Sequence, residues 1–302
     1  MARLPAWVTV GGVTALVVAD VALVWLAMQH VGDDDGGASE PTSASPRASP
    51  DATPSTAESL SAGPVLLDAA ADGTVVRAAR GRCTAAGGGV APSVGVEVST
   101  DGGRTFDQAD LGEPLTDVLR VSAASAESVL VVGVGPTCVK SVYRSDDAGE
   151  SWQASPGASD VWHLSITDAA SVHSPLGRVP TGCEVRALSP TAQSMARVLC
   201  NDGAMRGSAD GGAQWMLLGS LEGAVDIEYA TAADAWALAT TDACAATMLR
   251  TADGGVGWER TGCVADDGDP QALSRAGDLL VAQVGGRVLV SADEGETFRP
   301  AP

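Results

Sequence analysis

Three kinds of residue in this chain could do chemistry: cysteines, carboxylates in close series and a few histidines. The cysteines are Cys83, Cys138, Cys183, Cys200, Cys244 and Cys263. No C-x-x-C pair and no Cys/His cluster has zinc-like spacing, so oxidation to disulfides is the chemistry they fit, with many pairings open. Asp266, Asp267 and Asp269 form an acidic loop of the kind that holds Ca²⁺ weakly, but the full calcium-loop pattern is lacking and the segment reads as a solvated turn. No metal and no cofactor is expected. His163 and His173 stand at no spacing that fits a Ser/His/Asp arrangement, and a lone histidine on a strand reads as structural or surface. Lys140, the only lysine, carries no functional weight in this reading.

The elements that would position these residues announce themselves through an internal repeat. One octapeptide recurs: STDGGRTF from Ser99, SDDAGESW from Ser145, SADGGAQW from Ser208, TADGGVGW from Thr251 and SADEGETF from Ser291. The frame is Ser/Thr-x-Asp-x-Gly-x-x-aromatic. Asp101, Asp147, Asp210, Asp253 and Asp293 suit the acceptor role of a tight turn. Gly103, Gly149, Gly212, Gly255 and Gly295 permit a positive φ. Phe106, Trp152, Trp215, Trp258 and Phe298 then open the next strand and can wedge between neighbouring sheets.

This frame resembles the Asp-box, or bacterial neuraminidase repeat, of β-propellers, where it occupies the turn between the third and fourth strands of a blade. The resemblance spans 64–302 and implies an all-β propeller of four-stranded blades. Short strand patterns agree, as in Val118–Ala123, Val129–Val134, Val139–Arg144 and Ser151–Ala154. Successive repeat aspartates lie 46, 63, 43 and 40 residues apart. The long gap predicts a reduced blade without the repeat over 158–182, hence six blades, with five as the alternative.

Several site assignments follow from the propeller reading alone. The pairs Cys83 with Cys138, Cys183 with Cys200 and Cys244 with Cys263 fall on the face opposite the repeats, with Cys183 and Cys263 between blades. Arg120, His163, Arg186 and Asp226 fall on innermost strands, where they would line the central channel or plug it with salt bridges. Sialidases of this fold use three arginines, a tyrosine nucleophile assisted by glutamate, and an aspartate acid/base. Here Tyr143 lies on a third strand far from a channel, and Tyr229 follows Glu228 directly, so the two point to opposite faces. The Phe/Tyr-Arg-Ile-Pro sequence of sialidases is absent, Phe298-Arg299-Pro300 being a fragment of it. A non-enzymatic role is expected.

The remainder of the chain gives an address. Residues 6–31 are apolar over about the ~20 residues that cross a bilayer core. Arg3 precedes them and Asp33, Asp34 and Asp35 follow, which places the N-terminus in the cytoplasm and the rest outside. The stretch exceeds a signal-peptide core, so residues 1–31 read as an uncleaved single-pass anchor, with a cleaved signal as the alternative. Asp20 interrupts it, near the small residues Gly12, Ala15 and Ala19, where a partner helix could pack. Residues 32–63, rich in Ser, Thr, Pro, Ala and Gly, read as a disordered stalk.

The formal net charge is −20, which excludes a basic nucleic-acid-binding surface. The propeller part resembles Asp-box propellers related to photosystem II assembly factors and, more distantly, sortilin-type receptors. That resemblance implies an extracytoplasmic scaffold for an envelope or membrane protein partner. The rival is a carbohydrate-binding or sialidase-like propeller, which would need exposed aromatics; only Trp162, Trp236, Tyr143 and Tyr229 lie outside both the repeats and the anchor.

Overall fold

The computed structural model describes residues 64–83, 92–156, 160–265 and 267–301. The anchor with Asp20, the stalk, and Asp266 of the acidic loop lie outside them. The described residues form six antiparallel sheets. Blade one is β1 (Val65–Ala69), β2 (Val75–Ala79), β3 (Val96–Ser99) and β4 (Asp107–Gln108). Blade two is β5 (Asp117–Ser125), β6 (Ser128–Val134), β7 (Lys140–Ser145) and β8 (Gln153–Ala154). Blade three has only β9 (His163–Leu164), β10 (Ser171–Ser174) and β11 (Gly177–Pro180). Blade four is β12 (Val185–Ala192), β13 (Met195–Cys200), β14 (Ala204–Ser208) and β15 (Met216–Ser220). Blade five is β16 (Ala224–Tyr229), β17 (Ala235–Thr241), β18 (Cys244–Thr251) and β19 (Glu259–Ala265). Blade six is β20 (Pro270–Ala276), β21 (Leu279–Val284), β22 (Arg287–Ser291) and β23 (Arg299–Pro300).

Six sheets exclude the five-bladed alternative, and the long gap is filled by the reduced blade. In blades one, two, four, five and six the first strand is innermost and the fourth outermost. Up-and-down order puts the first and third turns of each blade on one face, the turn face. The second connections and the links between blades emerge on the other, the cystine face. Blade three differs in sense as well as size. Trp162, just before β9, donates its indole N–H to Ala192 and Gln193 O in the β12–β13 turn, so β9 starts from the turn face. It therefore runs like a second strand and stands innermost, with no first strand before it among the described residues.

Each seam between blades has its own apolar cluster. Val76, Val98, Val121 and Tyr143 fill the seam of blades one and two; Leu199, Met205, Ile227 and Tyr229 fill that of blades four and five. Leu238, Met248, Leu280 and Leu289 fill the next. The octapeptide aromatics are shared out among these seams. Trp152, Trp258, Phe298, Phe106 and Trp215 each pack on a different cluster, which fixes one blade against the preceding one. Each of these rings is half-buried in its seam and adds apolar contact between blades.

Candidate functional site

The five repeated turns share one hydrogen-bond scheme. In the first, Ser99 Oγ donates to Asp101 Oδ1 at 2.8 Å and accepts from Gly103 N at 2.8 Å, while Asp101 Oδ1 accepts from Thr105 N at 2.9 Å. Ser145 with Asp147 and Gly149, Ser208 with Asp210 and Gly212, Thr251 with Asp253 and Gly255, and Ser291 with Asp293 and Gly295 repeat it. Burial pushes the Asp101 carboxyl up, but donation from the Thr105 hydroxyl and N–H and from Ser99 outweighs it and brings the group to about 2. Donation from Thr297 and Ser291 holds Asp293 at about 2 as well. These carboxylates are spent on the turn itself, so they hold the fold and are not available to a ligand.

The glycine of each turn is required twice over. Gly103 and Gly149 have φ of +95° and +91°, which side chains disfavour. A Cβ would also stand 2.7 Å from Val288 Cγ1 at Gly103, and 2.9 Å from Val98 Cγ2 at Gly149. The turn backbone thus lies directly on the preceding blade. The residue before this glycine is left-handed too: three of the five turns place Gly102, Gly211 or Gly254 there, while Ala148 and Glu294 adopt it without a glycine, each at φ +57°.

Charges from several innermost strands converge on the axis. Asp68 of β1, Arg120 of β5, and Asp226 and Glu228 of β16 keep partial solvent access while protein surrounds them. Glu228 is raised to about 8 by burial first and then by the charges of Asp68 and Asp226, against Arg120 and Ser189. Asp226 is raised to about 7 by burial, against N–H donation from Leu273 and Ile227 and the charge of Arg186. Burial lowers Arg120, opposed by Asp68 and Glu228.

Several of these side chains pin adjacent blades together. Asp68 Oδ2 accepts from Ala123 N of blade two at 3.0 Å, and Ser274 Oγ of blade six accepts from Ala69 N at 3.0 Å and donates to Asp68 Oδ1 at 2.9 Å. Ser189 Oγ accepts from Tyr229 N at 2.9 Å, and Asp226 Oδ2 from Leu273 N at 2.7 Å. Of the four residues expected on the channel, Arg120 and Asp226 stand among these charges. Arg186 is exposed at the cystine end of β12, within charge range of Asp226. His163 is buried, not on the wall, and pairs with Lys140. Asp68 and Glu228 complete the cluster without any sequence signal, because what marks them is the meeting of β1 and β16 with β5.

The tyrosines are committed elsewhere. Tyr229 packs in the seam of blades four and five, donates its hydroxyl to Gly254 O at 3.2 Å, and is raised to about 12 by burial. Its neighbour Glu228 faces the channel charges, so the two do point apart. Tyr143 donates to the Glu113 carboxylate, a pairing that nothing in the sequence indicates. Burial and Glu113 raise its phenol, the opposite of what a tyrosine nucleophile needs. Trp162 and Trp236 are buried with their indole N–H groups bonded to backbone carbonyls. No tryptophan or tyrosine outside the repeated turns is therefore exposed among the described residues.

On the cystine face, Cys83 bonds Cys138, Cys183 bonds Cys200 and Cys244 bonds Cys263. The first joins the second connections of blades one and two; the second ties the link between blades three and four to the end of β13. Cys263 lies within β19 and not between blades, because that strand runs on to Ala265. Its bond staples β18 to β19 inside blade five.

No family model matches this sequence, and no curated protein matches it. Solved structures do. YCF48 from Cyanidioschyzon merolae is 13% identical, with 72% of this chain and 79% of that chain covered, at a TM-score of 0.41. The fucose-binding lectin of Aleuria aurantia, described as a six-bladed β-propeller, is 10% identical over 78% of this chain and 93% of that one, with a TM-score of 0.45. A catalytically inactive virginiamycin B lyase from Staphylococcus aureus is 12% identical over 80% and 84%, with a TM-score of 0.46. The six-bladed architecture rests on the sheet order itself.

Proposed function

We propose that this protein is a membrane-tethered, extracytoplasmic Asp-box propeller that holds an envelope or membrane protein partner on its cystine face and performs no chemistry of its own. One observation carries the reading: two of the three disulfides fasten connections of that face and the third staples β18 to β19 beside it, so the loops that Cys83, Cys138 and Cys183 hold are rigid before any partner arrives. Rigid loops lose less conformational freedom on binding, and affinity gains accordingly. Structural disulfides are characteristic of oxidising compartments and rare in the cytosol, in accord with a propeller outside the cytoplasm. The tyrosines are spent in the seams and the turn carboxylates in their own loops, which supports a scaffold over a glycosidase.

In-membrane crosslinking of the full-length protein, with an unrelated anchor as control, tests this. A stoichiometric protein partner crosslinked to the cystine face with either anchor is the expected result. Capture lost on the anchor swap would move the contact to Asp20 and its segment. No protein partner in either version, together with selective saturable binding on a glycan array, would replace the scaffold reading with a lectin one.

A further inference from the structure

A cleft of about 310 Å³ opens on the turn face between blades six and one. Its walls are mostly apolar, with Ala69, Ala276, Val281 and Val290 buried in them, Leu279 at the rim and Gly102 of the first repeated turn alongside. That volume is at the lower end of small-ligand sites, about 300–1,000 Å³.

The strand registers show what two other seams put in this place. Thr251 of blade five pairs with Ala235, and Ser291 of blade six with Leu280, so the next residues along each second strand, Trp236 and Val281, are equivalent. Trp236 packs towards blade six and Val281 towards blade one. Trp236 donates its indole N–H to Glu294 O of the blade-six turn at 3.2 Å, with the Arg250 and Arg275 guanidinium groups each 5.6 Å from a ring centroid. In the seam of blades four and five, Tyr229 donates to Gly254 O of the blade-five turn at 3.2 Å, with Arg197 at 5.6 Å. Glu294, Gly254 and Gly102 hold the same place in the octapeptide, directly before the required glycine.

The closing seam therefore keeps the acceptor and lacks the ring. Gly102 N donates to Gly73 O at 3.0 Å just as Gly254 N donates to Ala233 O at 2.9 Å, so the two turns are held alike, yet Gly102 O accepts no hydrogen bond among the described residues. The charges on the rim select against an anion. Asp72 accepts from Thr74 N and Ala126 N, and Asp101 from its own turn, so both are held by the protein while remaining negative. Arg299, opposite Val290 on β23, has no carboxylate within ion-pair distance among the described residues. It supplies the guanidinium that arginines supply to the rings of the other two seams, where a π face is its complement.

We propose that this cleft binds a small neutral aromatic molecule with a ring N–H, of the indole class, seated against Val281 and donating to Gly102 O. The site is on the turn face and the scaffold contact on the cystine face, so either can fail without the other.

The test follows the ¹⁹F signal of 5-fluoroindole with full-length protein in lipid nanodiscs, empty discs serving as the blank. Broadening should saturate, and Val281→Trp, which fills the cleft as Trp236 fills its own seam, should abolish it. Leu279→Asp, at the exposed rim, should weaken binding roughly fivefold, about the loss of one partly buried leucine contact, and leave the urea midpoint unchanged, which separates loss of the site from loss of the fold. 5-Fluoro-1-methylindole, which lacks the donor, should bind roughly fivefold more weakly, the size of one neutral hydrogen bond. Broadening that never saturates, or that survives both substitutions, would overturn the site. Equal binding of the methylated compound would overturn the donation to Gly102 O, and tighter binding of 5-fluorotryptamine would replace the neutral ligand with a cation held by Asp72 and Asp101.

Discussion

Gly103→Ala offers a way to weigh the contact between a repeated turn and the blade before it. Two costs are separable. The first is backbone strain at φ +95°, about 1–2 kcal/mol for an L residue, reduced by about 0.4–1 kcal/mol because alanine also restricts the unfolded chain. The second is the new methyl at 2.7 Å from Val288 Cγ1, an overpacking cost of about 1–3 kcal/mol. Gly112 is an internal control: its φ is +77° and nothing lies within 4 Å of the added Cβ, so Gly112→Ala carries the strain alone. Gly112→Ala should therefore cost about 0.5–1 kcal/mol and Gly103→Ala about 2–4 kcal/mol. Urea unfolding of both variants, followed by tryptophan fluorescence with the disulfides intact, gives the difference directly. In a double-mutant cycle, Val288→Ala should remove most of the excess and leave the strain behind. If Gly103→Ala costs no more than Gly112→Ala, the turn does not bear on blade six, and the claim that these glycines fix the spacing between blades fails.

Three other outcomes are expected. Because Asp226 and Glu228 are raised to about 7 and about 8, the folded state holds protons that the unfolded chain releases near about pH 4, so stability is lost as pH rises through 7 and 8. Denaturant midpoints should fall from about pH 6.5 to about pH 8.5, above the range where His163, held at about 4 by burial, contributes, and Glu228→Gln should flatten that fall; an unchanged slope would mean that Glu228 ionises freely. Ala148→Gly should stabilise by up to about 1 kcal/mol, since Ala148 holds φ +57°; a loss of stability in the same urea assay would refute this. Removing Cys83–Cys138, which closes 55 residues, should cost about 4 kcal/mol against about 3 kcal/mol for Cys183–Cys200, which closes 17; the reverse order in paired double-serine variants would show that loop length is not what governs.

What could be read in the sequence was whatever a local rule enforces. Ser99, Asp101 and Gly103 satisfy one another within five residues, so their pattern repeats wherever that turn is made and marks five of the six blades. The reduced blade showed only as a gap, which gave its length but not the reversed sense of β9, a feature set by the contact of Trp162 with the distant β12–β13 turn. The channel charges obey no local rule. Asp68 looks like any strand aspartate until β5 and β20 bring Ala123 N and Ser274 Oγ against it. Lys140 is alike in this: its partner is His163, 23 positions away and on another blade.

Closure of the ring shows the same division between local and distant causes. Every blade is built from consecutive strands, so blades one and six share no sheet and close only through their seam. That seam is made of Val65, Leu67, Val75, Ala272, Ala276, Val288 and Val290 with Phe106, smaller side chains than the Trp162–Trp215 and Tyr229–Trp258 packing elsewhere. A cleft of about 310 Å³ lies beside Ala69, Ala276 and Leu279. Polar contacts offset what apolar volume does not supply. Arg77 lies over Phe106 at 3.7 Å, bonds the buried Glu97 at 2.6 Å and reaches Gly286 O of blade six, while Ser274 grips both Asp68 and Ala69. Buried and fully partnered, the Arg77–Glu97 pair is costly to break on one side only, so Glu97→Gln should loosen this seam before any other, and hydrogen exchange at Ala69 N should rise ahead of exchange at Ala123 N and Tyr229 N, which lie at other seams.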